Sequence, residues 1–520
     1  MQAKLSGKLA ISLVLLYSLA PAQQENVTII VGPVIGKVTN STARVLFEFN
    51  TNATITVTLT DPDGNQTNTT RNVTGSIPIP FAFEGLQPET IYTVSLNDSV
   101  ANMTESYFTT LGNATGNLNF AVISCMDKGV QASKEEDADL WADLLRRVQN
   151  NEIQYLLQTG DQVYMDDPFG EQLLSKPYFA CQKILNETSR DEWDSRRDEM
   201  LEILRDEYRH TWNIQSVRET LAKVPSLTIL DDHQVRDDWG YLTTDSDPTS
   251  QDYYYGLLAR QVYYEYERQL REDVDFGNLS NMTAEYYYEV LNGVGFFFMD
   301  YRGIRTWNRN YSQMENTQIG RNQTELLQQL LEPTNGTLAE AKSFFLVSPL
   351  TVVFLVEALV HIGYFSNNDA QESWSFGYLD EQAQLLELLR NWTLGRDGRK
   401  VTILAGDVHM GGYTEIKYDD DFAFQQCTSS SIASSAPNDA TFLGFEILKE
   451  VQKLNKPWSY EHHDWTNDFN YGIVIARNRD DQADLKCYMV KADDSDDPEL
   501  VDDSDSSVSD SDWEDIYLYR

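Results

Sequence analysis

Four short stretches of the chain end in side chains that bind cations: Cys125-Met126-Asp127, Gly160-Asp161-Gln162-Val163-Tyr164, Asp231-Asp232-His233 and Gly406-Asp407-Val408-His409. Each follows an apolar run: "NFAVIS", "IQYLLQT", "SLTIL" and "KVTILA". Carboxylates suit hard cations, and thiolate, phenolate and imidazole suit transition metals. Singly, each stretch has an ordinary explanation. A Gly-Asp after a strand is commonly a turn, an Asp-Asp-His can cap a helix, and a cysteine at a strand end is commonly a small core residue. Four such ends between residues 125 and 409 point instead to one shared site. In open α/β sheets, ligands bind beyond the carboxyl ends of strands. The charge in "LTILDDHQVRDDWG" would then face a cation site rather than the core.

The elements that must position these residues are legible as alternation. From Asn117 onward, apolar runs that read as strands ("NFAVISC", "IQYLLQTGD", "PSLTILDD", "GVGFFFMDYR", "KSFFLVSP", "KVTILAGDVH") are interspersed with helical patterns such as "DADLWADLLRRVQ" and "LDEQAQLLELLRNW". That pattern predicts an α/β fold, a sheet system covered by helices, over residues 117–491. Before it, residues 25–112 are rich in Thr, Val and Ile, with turn signals between short runs. They read as a small all-β sandwich. "FEGLQPETIYTVSL" resembles the late strands of fibronectin type III domains, with Tyr92 as a tyrosine corner, and "GNATGN" reads as a linker. The apolar stretch Phe344–Val360 is interrupted by Pro349 and Glu357. It reads as a buried strand leading into a loop or helix start rather than a membrane span.

The remaining composition narrows the setting. Residues 1–22 have a basic start, an apolar run and small residues for cleavage, as a secretory signal peptide does. Asn-x-Ser/Thr acceptor sites are dense, nine of them before residue 116, which fits N-glycosylation. Four cysteines are too few for a disulfide scaffold; with one held by a metal, one bridge and one free thiol is the simplest arithmetic. The net charge of −41 argues against nucleic acid and favours divalent cations as partners. Residues 492–520 form an acidic tail too poor in apolar side chains to fold.

The order of the motifs resembles the PhoD-like alkaline phosphatases, a branch of the calcineurin-like metallophosphatases. "GPVIGKVTNSTARVLF" is similar to their amino-terminal sandwich. "ISCMD", "GDQVYMDD", "ILDDHQVRDDWG", "FFFMDYRGIR" and "LAGDVHMGGYTEI" then follow in family order, so the resemblance spans about residues 27–490. It implies a metallophosphatase β-sandwich flanked by helices, which hydrolyses phosphomonoesters or phosphodiesters outside the cell. It also implies roles. Cys125, Asp161, Tyr164 and Asp407 would hold a ferric ion. Asp127, Asp232 and His409 would serve one or two calcium ions, with other divalent metals possible at His409. A metal-bound hydroxide would attack phosphorus, and His233 would protonate the leaving oxygen or bond the phosphate. Arg302, Arg305 and, more weakly, Arg236 would hold phosphate, although an ion pair with nearby acids is an equal alternative for the first two. Where the family usually has glutamate after Asp-Asp-His, this chain has Gln234. The paired His462 and His463 lie in a looser likeness, where they would either close over substrate or sit on the surface.

Two other functions fit parts of the pattern. One is a calcium-binding, glycosylated matrix or coat protein with a decayed site. The other is a nucleotide-directed hydrolase, which needs an aromatic clamp that the sequence does not locate. The retention of Cys125, Asp161, Tyr164, Asp232, Asp407 and His409 together favours an active phosphate-ester hydrolase, secreted for phosphate scavenging.

Overall fold

A computed structural model describes residues 26–500 apart from 98–99, 102, 114, 133–138, 167–175, 241, 277–283, 304–316, 356–373, 375–377, 435–456, 480 and 493–498. The expected leader, most of the acidic tail and Arg305 lie outside the described residues. Among the described residues, no helix is long and apolar enough to cross a membrane.

Eight strands come first: β1 (Val27–Val38), β2 (Thr42–Phe49), β3 (Ala53–Thr60), β4 (Gln66–Val73), β5 (Ile79–Glu84), β6 (Ile91–Leu96), β7 (Val100–Ala101) and β8 (Tyr107–Thr109). They form two four-stranded sheets, ordered β5-β2-β1-β7 and β4-β3-β6-β8. Strand β3 shows why. Its period of two buries Ile55, Val57 and Leu59 and leaves the alternating threonines toward solvent. Those three pack with Val45, Phe47, Phe81 and Phe108 in one core between the sheets. The Tyr92 hydroxyl accepts the Gln87 backbone N–H at 2.9 Å, as a tyrosine corner should.

The rest is a larger two-sheet sandwich. Its strands are β9 (Leu118–Ile123), β10 (Tyr155–Gln158), β11 (Ser226–Thr228), β12 (Tyr287–Leu291), β13 (Val294–Phe298), β14 (Ser343–Ser348), β15 (Lys400–Ala405), β16 (Gly411–Tyr418), β17 (Asp421–Thr428), β18 (Trp458–Thr466), β19 (Asn470–Arg479), β20 (Gln482–Lys491) and β21 (Glu499–Leu500). One sheet is ordered β11-β10-β9-β19-β20-β21, the other β12-β13-β14-β15-β17-β16-β18. Strands β9, β10 and β11 run parallel, as do β13, β14, β15 and β17. Every residue of β9 is buried, which is why it reads as an unbroken apolar run. Phe120 of one sheet meets Phe345 of the other edge-on, centroids 5.1 Å apart, in the core between them.

Helices cover both outer faces. They are α1 (Lys128–Ala132), α2 (Leu140–Gln149), α3 (Pro177–Glu187), α4 (Arg197–Trp212), α5 (Gln215–Leu221), α6 (Gln251–Tyr266), α7 (Gly320–Leu330) and α8 (Leu379–Leu394). Helix α2 starts where Asp139 accepts the N–H groups of Trp141 and Ala142. Residues of α2 to α6 share one core with β9 and β10, and residues of α7 and α8 share another with β14 and β15.

The small sandwich is joined to the large one by more than the linker. Val31, Val34 and Leu46 belong to the same core as α2 to α6. Glu48, fully buried, bonds Arg209 of α4 at 2.5 Å and the Tyr266 hydroxyl of α6 at 2.6 Å. The expected disulfide does not form. All four cysteines are free and buried, and three of them are taken up as small apolar residues: Cys181 packs in the helical core, while Cys427 and Cys487 lie in the core between the large sheets.

Candidate metal and catalytic site

The ends of β9, β10, β11 and β15 converge. Oxygens of Asp161, Asp231, Asp232 and Asp407 lie within 4.8 Å of one another. Asp161 is shared with a second group, Cys125 and His409, and a third, Asp232 and His233. The turns that achieve this are strained. Cys125, Asp161, Asp407 and His409 all have positive φ, from 52° to 73°. Such conformations cost energy and persist where the surrounding packing enforces them. Gly160, at φ +119°, is forced by proximity, since a Cβ there would lie 2.6 Å from that of Asp231.

Within the second group, the Cys125 sulfur lies 3.0 Å from the Ser430 hydroxyl and 3.7 Å from Asp161 Oδ2. The Tyr164 hydroxyl is 3.0 Å from His409 Nε2, and its ring stacks on His233 with centroids 4.2 Å apart. Burial, with the neighbouring negative groups Cys125, Asp231 and Asp232, pushes the Asp161 carboxyl well up. Burial likewise pushes up the Cys125 thiol and the Tyr164 phenol. Such a set is electrostatically costly as it stands, and cations among its oxygens and sulfur would relieve the cost. That is the test a metal centre should meet, and these residues meet it. Cys125, Asp161, Tyr164 and His409 offer soft and anionic donors on one side. Asp161, Asp231, Asp232 and Asp407 offer a hard oxygen set on the other.

Arg302 does not reach outward. Its side chain is fully buried, with Nε 2.5 Å from Asp231 Oδ1 and Nη2 3.3 Å from Asp232 Oδ1 and 3.7 Å from Asp407 Oδ1. These contacts are those of the ion-pair alternative, with three acids at the sheet edge around one guanidinium. Burial would raise the Asp232 pKa, but the charges of Arg302 and His233 outweigh it and hold it below the usual value. Arg236 is also committed elsewhere, with Nη2 on Asp245 at 2.5 Å and Nη1 on the Asp237 carbonyl at 2.6 Å. Asp127 is not brought into any of the groups. Its Oδ1 accepts the N–H groups of Gly129 at 2.5 Å and Val130 at 3.2 Å, so it caps α1.

His233 Nδ1 lies 2.9 Å from Asp166 Oδ1, and Asp166 Oδ2 accepts the Asp237 N–H. Desolvation would lower the imidazole pKa, but Asp166, Asp232 and Asp161 outweigh it and raise it well above the ordinary value. Gln234 is buried and ties the loops together. Its Oε1 accepts the backbone N–H of both Asp161 and Asp231 at 3.1 Å, and its Nε2 donates to Gln162 Oε1. His462 is buried rather than poised over the opening: Thr414 Oγ1 lies 2.7 Å from Nδ1, and Nε2 donates to the Phe354 carbonyl at 2.8 Å. His463 is partly exposed, 3.8 Å from Glu415.

Three contributors are given no individual role by the sequence reading: Asp231, Asp166 and Ser430. The first two stand inside quoted motifs, "ILDDH" and "GDQVYMDD", and a count of acids per motif would have flagged them. Ser430 lies in the hydroxyl-rich "TSSSIASS", whose signal is weak without the fold.

Fold and site together define a two-sheet α/β sandwich with an acid-rich centre at the carboxyl ends of its strands. A family model for PhoD-like phosphatase matches residues 120–486, and the chain belongs to that family. The solved structure of PhoD superposes with a TM-score of 0.63 at 12% identity, covering 93% of this chain and 95% of that one, a likeness of fold. The apo structure of Bacteroides uniformis beta-glucuronidase 3 is matched at a TM-score of only 0.21 and 8% identity, over 90% of this chain and 63% of that one. No curated protein matches the sequence.

Proposed function

We propose that the protein is a secreted, metal-dependent hydrolase of phosphomonoesters, phosphodiesters or both, serving phosphate acquisition outside the cell. The observation that carries this reading is the coincidence, on Asp161, of the three donor groups, with the Asp166-backed His233 beside them. Cys125, Asp161, Tyr164 and His409 would hold iron, and Asp161, Asp231, Asp232 and Asp407 would hold one or two calcium ions. When bound, the metals supply Lewis-acid polarisation of the phosphate and activation of water. The chain's own part is positional and protonic. The four positive-φ residues, in three turns, aim the donors, Arg302 balances the oxygens it touches, and His233 holds a proton for the leaving oxygen. In this reading Cys125, Asp161 and Tyr164 keep the iron role that the resemblance implies, while Asp407 and His409 exchange places between the two sets. Asp231 joins Asp232, and phosphate contacts pass from Arg302 and Arg236 to the metals and His233.

Secretion and glycosylation belong to the same reading. Every acceptor asparagine among the described residues is exposed, from Asn26 and Asn40 in the small sandwich to Asn335 and Asn391, whereas Asn119 and Asn470, outside such motifs, are buried.

The test uses protein purified without chelator, assayed at alkaline pH with a chromogenic monoester and a diester. Bound metals are measured on the same sample, with Cys125→Ala and Asp161→Asn in parallel. Bound iron and calcium, with turnover lost in both variants, is the expected result. Wild-type protein that stays inactive after both metals are restored would overturn the reading.

A further inference from the structure

Beside the acid-rich centre lies a small apolar cluster that neither catalysis nor the main cores account for. Met410 and Trp465 form its buried base, and Phe354, Leu355 and Val408 form its partly exposed top. Val408 is covalently placed between Asp407 and His409, so the cluster adjoins the site by construction. Much of the local structure is spent on holding it. The Phe354 carbonyl accepts from His462 Nε2 at 2.8 Å and from the Tyr460 hydroxyl at 3.2 Å. The Trp465 indole N–H donates to the Tyr413 carbonyl at 3.1 Å. Gly412 leaves the indole its place, since a Cβ there would come within 2.4 Å of the ring. Phe354 and Trp465 then lie 5.4 Å apart between centroids.

We propose that this shelf receives the organic group of the ester, so that esters of aryl or other apolar alcohols are preferred over esters of small polar alcohols. The proposal rests on the hydrolase reading above and names its substrate class. A pre-formed apolar surface needs no ordering when it binds, and polar alcohols gain nothing from it. The metals and His233 act at phosphorus and at the leaving oxygen and sense the ester through that oxygen's basicity, so the shelf is the part of the site that can discriminate by the apolar surface of the organic group.

The experiment compares kcat/KM for 1-naphthyl phosphate and glycerol phosphate in metal-replete wild type, Phe354→Ala and Leu355→Ser, with Phe354→Leu as the conservative control. The wild type should favour the naphthyl ester. The ratio should fall about tenfold in Phe354→Ala and Leu355→Ser, mainly through KM, and be largely kept in Phe354→Leu. Leu355, only partly buried, guards against a folding defect at Phe354. An unchanged ratio, or equal losses on both esters, overturns the shelf while leaving the hydrolase intact. Release of phosphate from neither ester by wild type overturns the hydrolase reading and the shelf with it.

Discussion

At the scale of single residues, the site depends on side chains that touch other side chains before they touch a ligand. Asp166 is one. As a proton donor, His233 works below its own pKa, and Asp166 is the strongest of the charges holding that pKa up. Asp166→Asn should therefore move the alkaline fall of the pH–rate profile to lower pH and cut the maximum roughly tenfold or more. A profile that keeps its alkaline limb would exclude this coupling. Gln234 is another. Its carbonyl gathers two backbone N–H groups, and its amide N–H is engaged with Gln162, so the whole group is satisfied as a neutral amide. Gln234→Glu adds charge beneath four carboxylates. The metal-free variant should melt lower than wild type, and added divalent cations should raise its melting temperature by more. Equal shifts in the two proteins would show that the amide does not tune the centre. Cys125, Asp161, Tyr164, Asp232, His233, Asp407 and His409 stand out in the sequence because each has a reactive type at the end of an apolar run. Arg302 stays open between phosphate and ion pair there, because its contact with Asp231 exists only once β11 and the loop after β13 are side by side.

At the scale of elements, the strands that carry the site are the legible ones. Those buried on both faces, such as β9 and β14, show unbroken apolar runs, Phe120–Ile123 and Phe344–Val347, with their few polar residues at or near the strand ends. The reach of α1 is harder to foresee, because Asp127 caps this five-residue helix through Oδ1 while its Oδ2 is buried without a hydrogen-bond partner among the described residues. The end of α6 carries its own consequence. Glu267 sits there, nearly fully buried, where a helix disfavours negative charge. Burial pushes its carboxyl up to about 8, although Tyr208 donates to it at 2.7 Å. The sign follows from proton uptake. Between the ordinary glutamate pKa and 8, the folded chain holds a proton that the unfolded chain has lost. Stability from this group is therefore full in acid and declines as pH rises through that window, by on the order of a few kcal/mol. Glu267→Gln removes the decline. At pH 9 the variant should melt above wild type, with little difference at pH 5; a variant that melts lower at pH 9 would contradict the assignment.

At the scale of the whole molecule, two sandwiches could have been two independent bodies joined by "GNATGN", as the sequence reads. Contacts that a linear reading does not reveal decide otherwise. Tyr155 of β10 accepts the Val38 N–H at 2.9 Å, Ser226 of β11 donates to the Ile35 carbonyl at 3.1 Å, and Glu48 lies among Arg209 and Tyr266. Removing one partner of such a buried pair costs about 3–5 kcal/mol. The small sandwich is thus a wall of the larger one rather than a tethered module. A protease that cuts between Gly112 and Gly116 should therefore leave a nicked, two-piece particle that elutes at the size of the intact chain and unfolds in one calorimetric transition. Two separable fragments would mean that the seam carries less than its geometry implies.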